Sequence, residues 1–368
     1  MIRTHRIRLN PTPEQATYFV RAAGTRRFVY NWGLAEWKRQ YEAGEKPLIM
    51  QLKKQFNAIK RDQFPWVYEV TKSVVEGAFM DLGVAFKNFF EGLNSGRNVG
   101  YPQFKSKKRS RDGFYVANDC IKLGAYWLKL PHIGKVNLAE RLRFAGKIMS
   151  VRITRSADWW FASIAVEMPD TAPAVHPGGA VGIDLGLNRL ATLSDGTELE
   201  NQQFLRRKLR KLKRLQRSLK RKQAGSNNYE KARRQLARQH YRVRCARDDL
   251  LHKFTTHLTR EFALIAIEDL HVKGMVKNRR LALSLSDAAF GRFVDLLEHK
   301  ALNTGTLVVK VSRFYASSKT CSGCGNIKSD LTLSKRVYVC EDCGLQIDRD
   351  YNASLNILNE GLRLVGAT

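Results

Sequence analysis

The chain has 368 residues, room for two or three domains, and its 64 Lys and Arg against 34 Asp and Glu give a formal net charge of +30. That surplus is far outside ordinary solubility tuning and favours a polyanionic partner, most commonly nucleic acid. No apolar run reaches the roughly eighteen residues of a membrane span, and the opening MIRTHRIRLNPTPEQ lacks the apolar core of a secretion signal, so a soluble intracellular protein with no membrane partner is expected.

Residues 2–9, IRTHRIRL, suit a strand, and Thr12-Pro13-Glu14-Gln15 reads as a capping box with proline at the first helical position. Helical spacing then continues to about residue 92 in at least three segments. The first runs through Phe19, Phe28, Tyr30, Asn31 and Trp37, the second holds Leu52, Phe56 and Ile59, and the third carries Val75, Phe79, Leu82, Phe86, Phe89 and Phe90. These aromatics read mainly as core, with base stacking as the alternative. Residues 94–113 form a turn-rich connector with a basic knot, Lys105, Lys107, Lys108, Arg109 and Arg111, expected to touch phosphates. Strand-like runs at 121–130, 133–138, 147–154 and 160–168 suggest a small sheet or barrel that includes the first strand, with the helices inserted between strands. TAPAVHPGG, 171–179, has the composition of a linker.

The stretch AVGIDLGL, 180–187, reads as a buried strand. Its Asp184 is unusual there, because an ionised carboxylate among Val, Ile and Leu is costly unless paired or metal-bound. Alternation puts Gly182, Asp184 and Gly186 on one face, open to a close approach. A hairpin turn is expected at Asp195-Gly196. Residues 205–222, LRRKLRKLKRLQRSLKRK, form a very basic helix with Leu205, Leu209, Leu212 and Leu219 as a thin seam. Arg206, Arg210, Arg214, Arg217 and Arg221 are its candidate backbone contacts. A second basic helix, from Tyr229 to about Phe262, carries Leu236, Val243, Leu250 and Phe254, and the two should pair as an antiparallel hairpin. Strand 263–267 ends in Glu268-Asp269, of which only one can face the same side as Asp184. Residues 271–287 read as a loop, 288–302 as a helix and 307–311 as a strand, in an α/β layer with a mixed sheet.

Two Cys-x-x-Cys-Gly knuckles follow, Cys321/Cys324 and Cys340/Cys343, and this spacing can wrap four thiolates around one structural zinc. Cys120 and Cys245 read as ordinary reduced thiols. Directly after the second knuckle, Asp348-Arg349-Asp350 opens a helix. Asp184, Glu268 and Asp350, all at element ends, could together hold two magnesium or manganese ions roughly 3.5–4 Å apart for in-line attack on phosphorus, hard ions on oxygen while zinc takes sulfur.

GIDLGLNRLATLSDG, IAIEDL, SSKTCSGCG, CEDCG and DRDYNASLNIL, in this order, resemble the split RuvC-like nuclease core of the TnpB (OrfB) proteins of insertion sequences, relatives of type V CRISPR effectors. RFVYNWGLAEWK, the AFKNFFEG run and YPQFKSKKR fit the same family more loosely. The resemblance implies an RNA-guided DNA endonuclease of the prokaryotic cytoplasm or nucleoid, working as a monomeric ribonucleoprotein with a guide RNA and target double-stranded DNA. It carries over Asp184, Glu268 and Asp350 as metal-binding acids, leaves Asp348 and Asp269 as supporting residues, and gives Arg349 either the scissile phosphate or a salt bridge. It also implies an α+β multidomain layout. A wedge-like β-barrel would comprise 1–11 and 114–170, a helical recognition lobe with its connector 12–113, an RNase H-like (RuvC) nuclease domain 171–316 and 346–368, and a zinc ribbon 317–345. A strand-joining transposase or recombination protein and a nuclease-inactive RNA-guided DNA-binding regulator are the alternatives.

Overall fold

A computed structural model describes residues 1–169, 176–328, 331, 332 and 335–366. The expected linker at 171–179 and ribbon at 317–345 therefore lie partly outside the described residues. The chain divides into two compact units, Met1–Asp170 and Thr171–Thr368.

In the first unit β1 (Ile2–Asn10) leads into α1 (Pro13–Glu42), α2 (Ile49–Gln63) and α3 (Lys72–Asn94). Then follow β2 (Gly113–Ala117), β3 (Lys122–Leu123), β4 (Trp127–Leu130), β5 (Gly134–Leu138), β6 (Lys147–Ser156) and β7 (Trp159–Glu167). The capping box forms as read: Gln15 N donates to Thr12 Oγ1 and Thr12 N to Gln15 Oε1. Along β1, His5, Ile7 and Leu9 turn inward while Arg6 and Arg8 turn out, the period of a half-buried strand. Most of the aromatics in the helical pattern are core: Phe56, Phe79 and Phe86 are buried with Leu34, Leu52 and Leu82.

The seven strands lie in the order β2-β6-β7-β1-β5-β4-β3. The two end strands do not pair, so the expected barrel is an open sheet. The reason is local. β3 contributes two residues, too few for a closing ladder, and the β2 end is covered by α3, where a Cβ on Gly77 would lie 2.7 Å from Tyr115 Cβ. β2 itself, GFYVA after a basic turn, is a strand the sequence reading passed over.

The second unit opens with β8 (Gly179–Asp184), β9 (Arg189–Leu193) and β10 (Glu198–Glu200), with Gly196 at φ 87° in the turn between the last two. The paired basic helices α4 (Phe204–Lys220) and α5 (Asn227–Glu261) follow, then β11 (Phe262–Glu268). Next come α6 (Val272–Met275), α7 (Ala282–Ala288), α8 (Phe290–Thr304), β12 (Leu307–Val311), β13 (Val337–Val339), β14 (Gln346–Asp348) and α9 (Arg349–Leu364). Residues 271–287 thus hold two short helices where a loop was expected, because Leu285 and Ala288 are buried against the core despite the basic start.

The main sheet runs β10-β9-β8-β11-β12, with β8, β11 and β12 parallel and β9 and β10 antiparallel. Its central strands are sandwiched. Val181, Ile183, Ile265 and Ile267 face the core shared with α5, α7 and α8, while Ala266 and Val311 meet Ile357 of α9 on the other side. Strands covered on both faces read as continuous apolar runs, as these do.

Candidate carboxylate site and cysteine cluster

The parallel register pairs Ile183 with Ile267, so the next residues, Asp184 and Glu268, stand side by side at the C-terminal ends of adjacent strands. Glycine decides which side they face. A Cβ on Gly182 would sit 2.1 Å from Ser354 O, and one on Gly361 would sit 2.4 Å from Ala266 Cβ. Hence α9 lies directly on the backbone of β8 and β11. By the two-residue period Asp184 shares the face of Gly182 and Glu268 that of Ala266, and α9 begins on that face with Asp350 in its first turn.

These charges sense one another. Burial, then the carboxylates of Glu268 and Asp350, push Asp184 up to about 7, against the opposing pull of Arg349. Each other acid has a partner. Ser317 Oγ donates to Glu268 Oε1 at 2.6 Å, and Asp350 lies 3.3 Å from Arg349 and 3.8 Å from Arg336. Arg349 also donates to Lys335 O at 3.1 Å, so of the two roles considered for it the ion pair is present. Asp269 pairs with Arg313. Asp348 caps α9, accepting from Asp350 N at 3.0 Å and Tyr351 N at 3.1 Å, and binds Arg189 at 3.0 Å. Burial works against its ionisation, yet the Tyr351 amide and Arg189 outweigh that and hold it below the usual carboxylate range.

The four knuckle cysteines form a group in which every candidate ligand atom lies within 4.8 Å of the others; among the described residues no such group contains the three acids. Cys321–Cys343 and Cys324–Cys340 sulfurs are each 3.6 Å apart. Tetrahedral zinc–sulfur bonds of about 2.3 Å require sulfurs about 3.8 Å apart, so the residues fit that ion. Gly325 and Gly344 take φ of 79° and 72°, the left-handed turn each knuckle needs. Carboxylate oxygens are the donor type a hard dication takes, and Asp184 feels the charge of both other acids.

The basic candidates divide. Lys107, Lys108 and Arg109 are exposed, as are Arg206, Arg210, Arg214, Arg217 and Arg221 along α4. Lys105 is different: its ammonium sits 3.5 Å over the Tyr30 ring, its backbone is held by both ends of the Asn31 amide, and burial with Arg26 nearby lowers it to about 8. It belongs to the packing of the first unit more than to a solvated loop. The sequence reading missed the buried amides Asn352 and Asn356, and also Ser317; the motifs contain them, but nothing in a local period marks a buried hydrogen-bonding pair.

Three family models match: "Probable transposase" over residues 163–279, "Cas12f1-like, TNB domain" over 290–357 and "Helix-turn-helix domain" over 1–46, where this chain has one strand and one 30-residue helix. The chain is 35% identical to "Putative RNA-guided DNA endonuclease" of Streptomyces pristinaespiralis, covering 98% of this chain and 89% of that one. It is 31% identical to the like-named InsQ of Escherichia coli (strain K12), covering 98% and 92%. The chain belongs to the TnpB/OrfB family. "TnpB-like protein L79" of Acanthamoeba polyphaga mimivirus matches over 38% of the chain at 39% identity. Among solved structures, "Cryo-EM structure of the Cas12f1-sgRNA-target DNA complex" aligns at TM-score 0.57 and 14% identity over 95% of this chain and 83% of that one, a likeness of fold. "Structure of the mini-RNA-guided endonuclease CRISPR-Cas_phi3" aligns at 0.52 and 9% over 98% and 92%. The chain's fold is thus α+β with an open first sheet, and no described helix is long and apolar enough to cross a membrane.

Proposed function

We propose that this member of the TnpB/OrfB family is an RNA-guided DNA endonuclease of a transposable element that hydrolyses target DNA at Asp184, Glu268 and Asp350. What supports the reading is the parallel register that sets Asp184 beside Glu268, the close approach of α9 to that sheet face, and the charge of Glu268 and Asp350 felt at Asp184. The second unit is on this reading a RuvC-like nuclease domain with the cysteine cluster as its zinc ribbon, and residues 1–11 with 114–170 and 12–113 serve as wedge and recognition lobe. Asp184, Glu268 and Asp350 would hold magnesium or manganese, whose chemistry there would be to activate a water for attack on phosphorus and to neutralise charge on the leaving oxygen. Zinc at Cys321, Cys324, Cys340 and Cys343 is structural, with all four positions filled by protein.

The chain's own groups do the rest. Asp348 and Arg189 fix the start of α9, which sets where Asp350 stands. Arg349 and half-exposed Arg336 pair with Asp350 and so bring two guanidinium charges to the acids, where they would meet a scissile phosphate. The arginines of α4 neutralise guide or target backbone, the partner a +30 chain demands. The partners are a guide RNA and target duplex, bound as a monomeric ribonucleoprotein in the prokaryotic cytoplasm or nucleoid.

The test is to purify the protein, sequence co-purified RNA, and challenge the complex with matching duplex in magnesium. Cleavage by wild type and none by Asp184→Ala is expected. A preparation that carries no RNA and leaves every matched duplex intact overturns the reading.

A further inference from the structure

Polar side chains with no access to water must be hydrogen-bonded, and fully connected buried networks fix geometry. Asn352 is 0% and Asn356 3% exposed on α9, and Ser317 is 4% exposed on the segment that leads into the first knuckle. Asn352 Oδ1 accepts from Ser322 N at 2.9 Å, and its Nδ2 donates to Thr320 O at 2.7 Å. Asn356 Nδ2 donates to both Thr320 O at 2.7 Å and Ser317 O at 2.8 Å. Ser317 Oγ in turn donates to Glu268 Oε1 at 2.6 Å. One hydrogen-bonded path therefore runs from a carboxylate of the proposed cation site, through Ser317 and the two amides, to the backbone on either side of Cys321. Both amides that hold it belong to the helix that carries Asp350.

We infer that Ser317 is the positioning residue of Glu268, and that Asn352 and Asn356 hold it there, so that the cation site is set by the knuckle and α9 together. The inference rests on the proposed function, because it concerns the cation that Glu268 would bind. A hydroxyl on Oε1 restricts the rotation of the carboxylate and so would fix the direction in which it offers its oxygens to a cation. Such partners of ligating side chains contribute about 10–100-fold in metal affinity. The path also gives the ribbon a second task besides folding: loosening the knuckle frees residues 317–320 and with them Glu268.

The experiment titrates manganese into the purified ribonucleoprotein and reads the free ion by electron paramagnetic resonance, with zinc content measured on the same samples. Ser317→Ala is expected to weaken manganese binding roughly tenfold with zinc at one per chain, and to raise the magnesium needed for half-maximal cleavage more than it lowers the maximal rate. Ser317→Thr, which keeps the hydroxyl, should return close to wild type. Asn356→Ala should weaken manganese in the same direction while Ser317 is still present; if that variant fails to fold, the serine pair alone decides. Unchanged manganese affinity in Ser317→Ala overturns the inference. Wild-type manganese binding that is insensitive to Asp184→Asn overturns the underlying site assignment instead, so the two failures are distinguishable.

Discussion

At the residue scale, Asp184 costs the metal-free fold stability. The folded protein holds the Asp184 proton up to about pH 7, whereas an unfolded aspartate releases it near about 4. Between these values the folded state binds more protons, so stability falls as pH rises through that window and stays low above it. Asp184→Asn removes the loss. In cation-free buffer the variant should be more stable than wild type by up to about 4 kcal/mol at about pH 8, with a smaller gap at about pH 5. Denaturant unfolding at the two pH values measures this, and equal stabilities at both would contradict the repulsion. Asp348→Ala should act oppositely: loss of an N-cap costs about 0.5–2 kcal/mol, and Arg189 loses a partner.

At the element scale, α9 matters because two glycines admit it. Gly182→Ala would drive a methyl into the backbone of α9. Overpacking of that kind costs about 1–3 kcal/mol, and because the helix must lift, cleavage should fall more than stability does. A thermal scan beside a rate measurement separates the two; a variant that matches wild type in both would show that α9 does not depend on this contact. On α4, replacing Arg210, Arg214 and Arg217 by Gln should weaken guide binding and flatten its log–log salt dependence by roughly 2, since three exposed charges leave. Guide binding with an unchanged salt slope would move the nucleic acid elsewhere.

The same scale explains what could be read from the residues. Gly182-Ile-Asp184 and Glu268 were legible because an acid that closes an apolar strand is costly without a purpose, and the knuckles because thiolate spacing is a short-range geometric constraint. The basic hairpin was legible from its heptad seam, with Leu212, Val243 and Phe254 buried as read. The open edge of the first sheet, the short helices α6 and α7, the place of Lys105 over Tyr30 and the amide path through Asn352 were not. Each depends on contacts between residues distant in sequence, which leave no periodic trace.

For the whole molecule, the cysteine cluster and the helix of Asp350 are linked: the backbone on either side of Cys321, at Thr320 and Ser322, is held by Asn352 of α9. Cys340→Ser should therefore lose zinc and guided cleavage together, measured by metal analysis and a cleavage assay on one sample; full activity without zinc would break that link. The central claim is that Asp184, Glu268 and Asp350 jointly hold divalent cations. Its most direct test is anomalous diffraction at the manganese edge from crystals of the guide-bound protein grown with manganese. The account predicts density between the three carboxylates. Manganese bound elsewhere, and none among these acids, would contradict it.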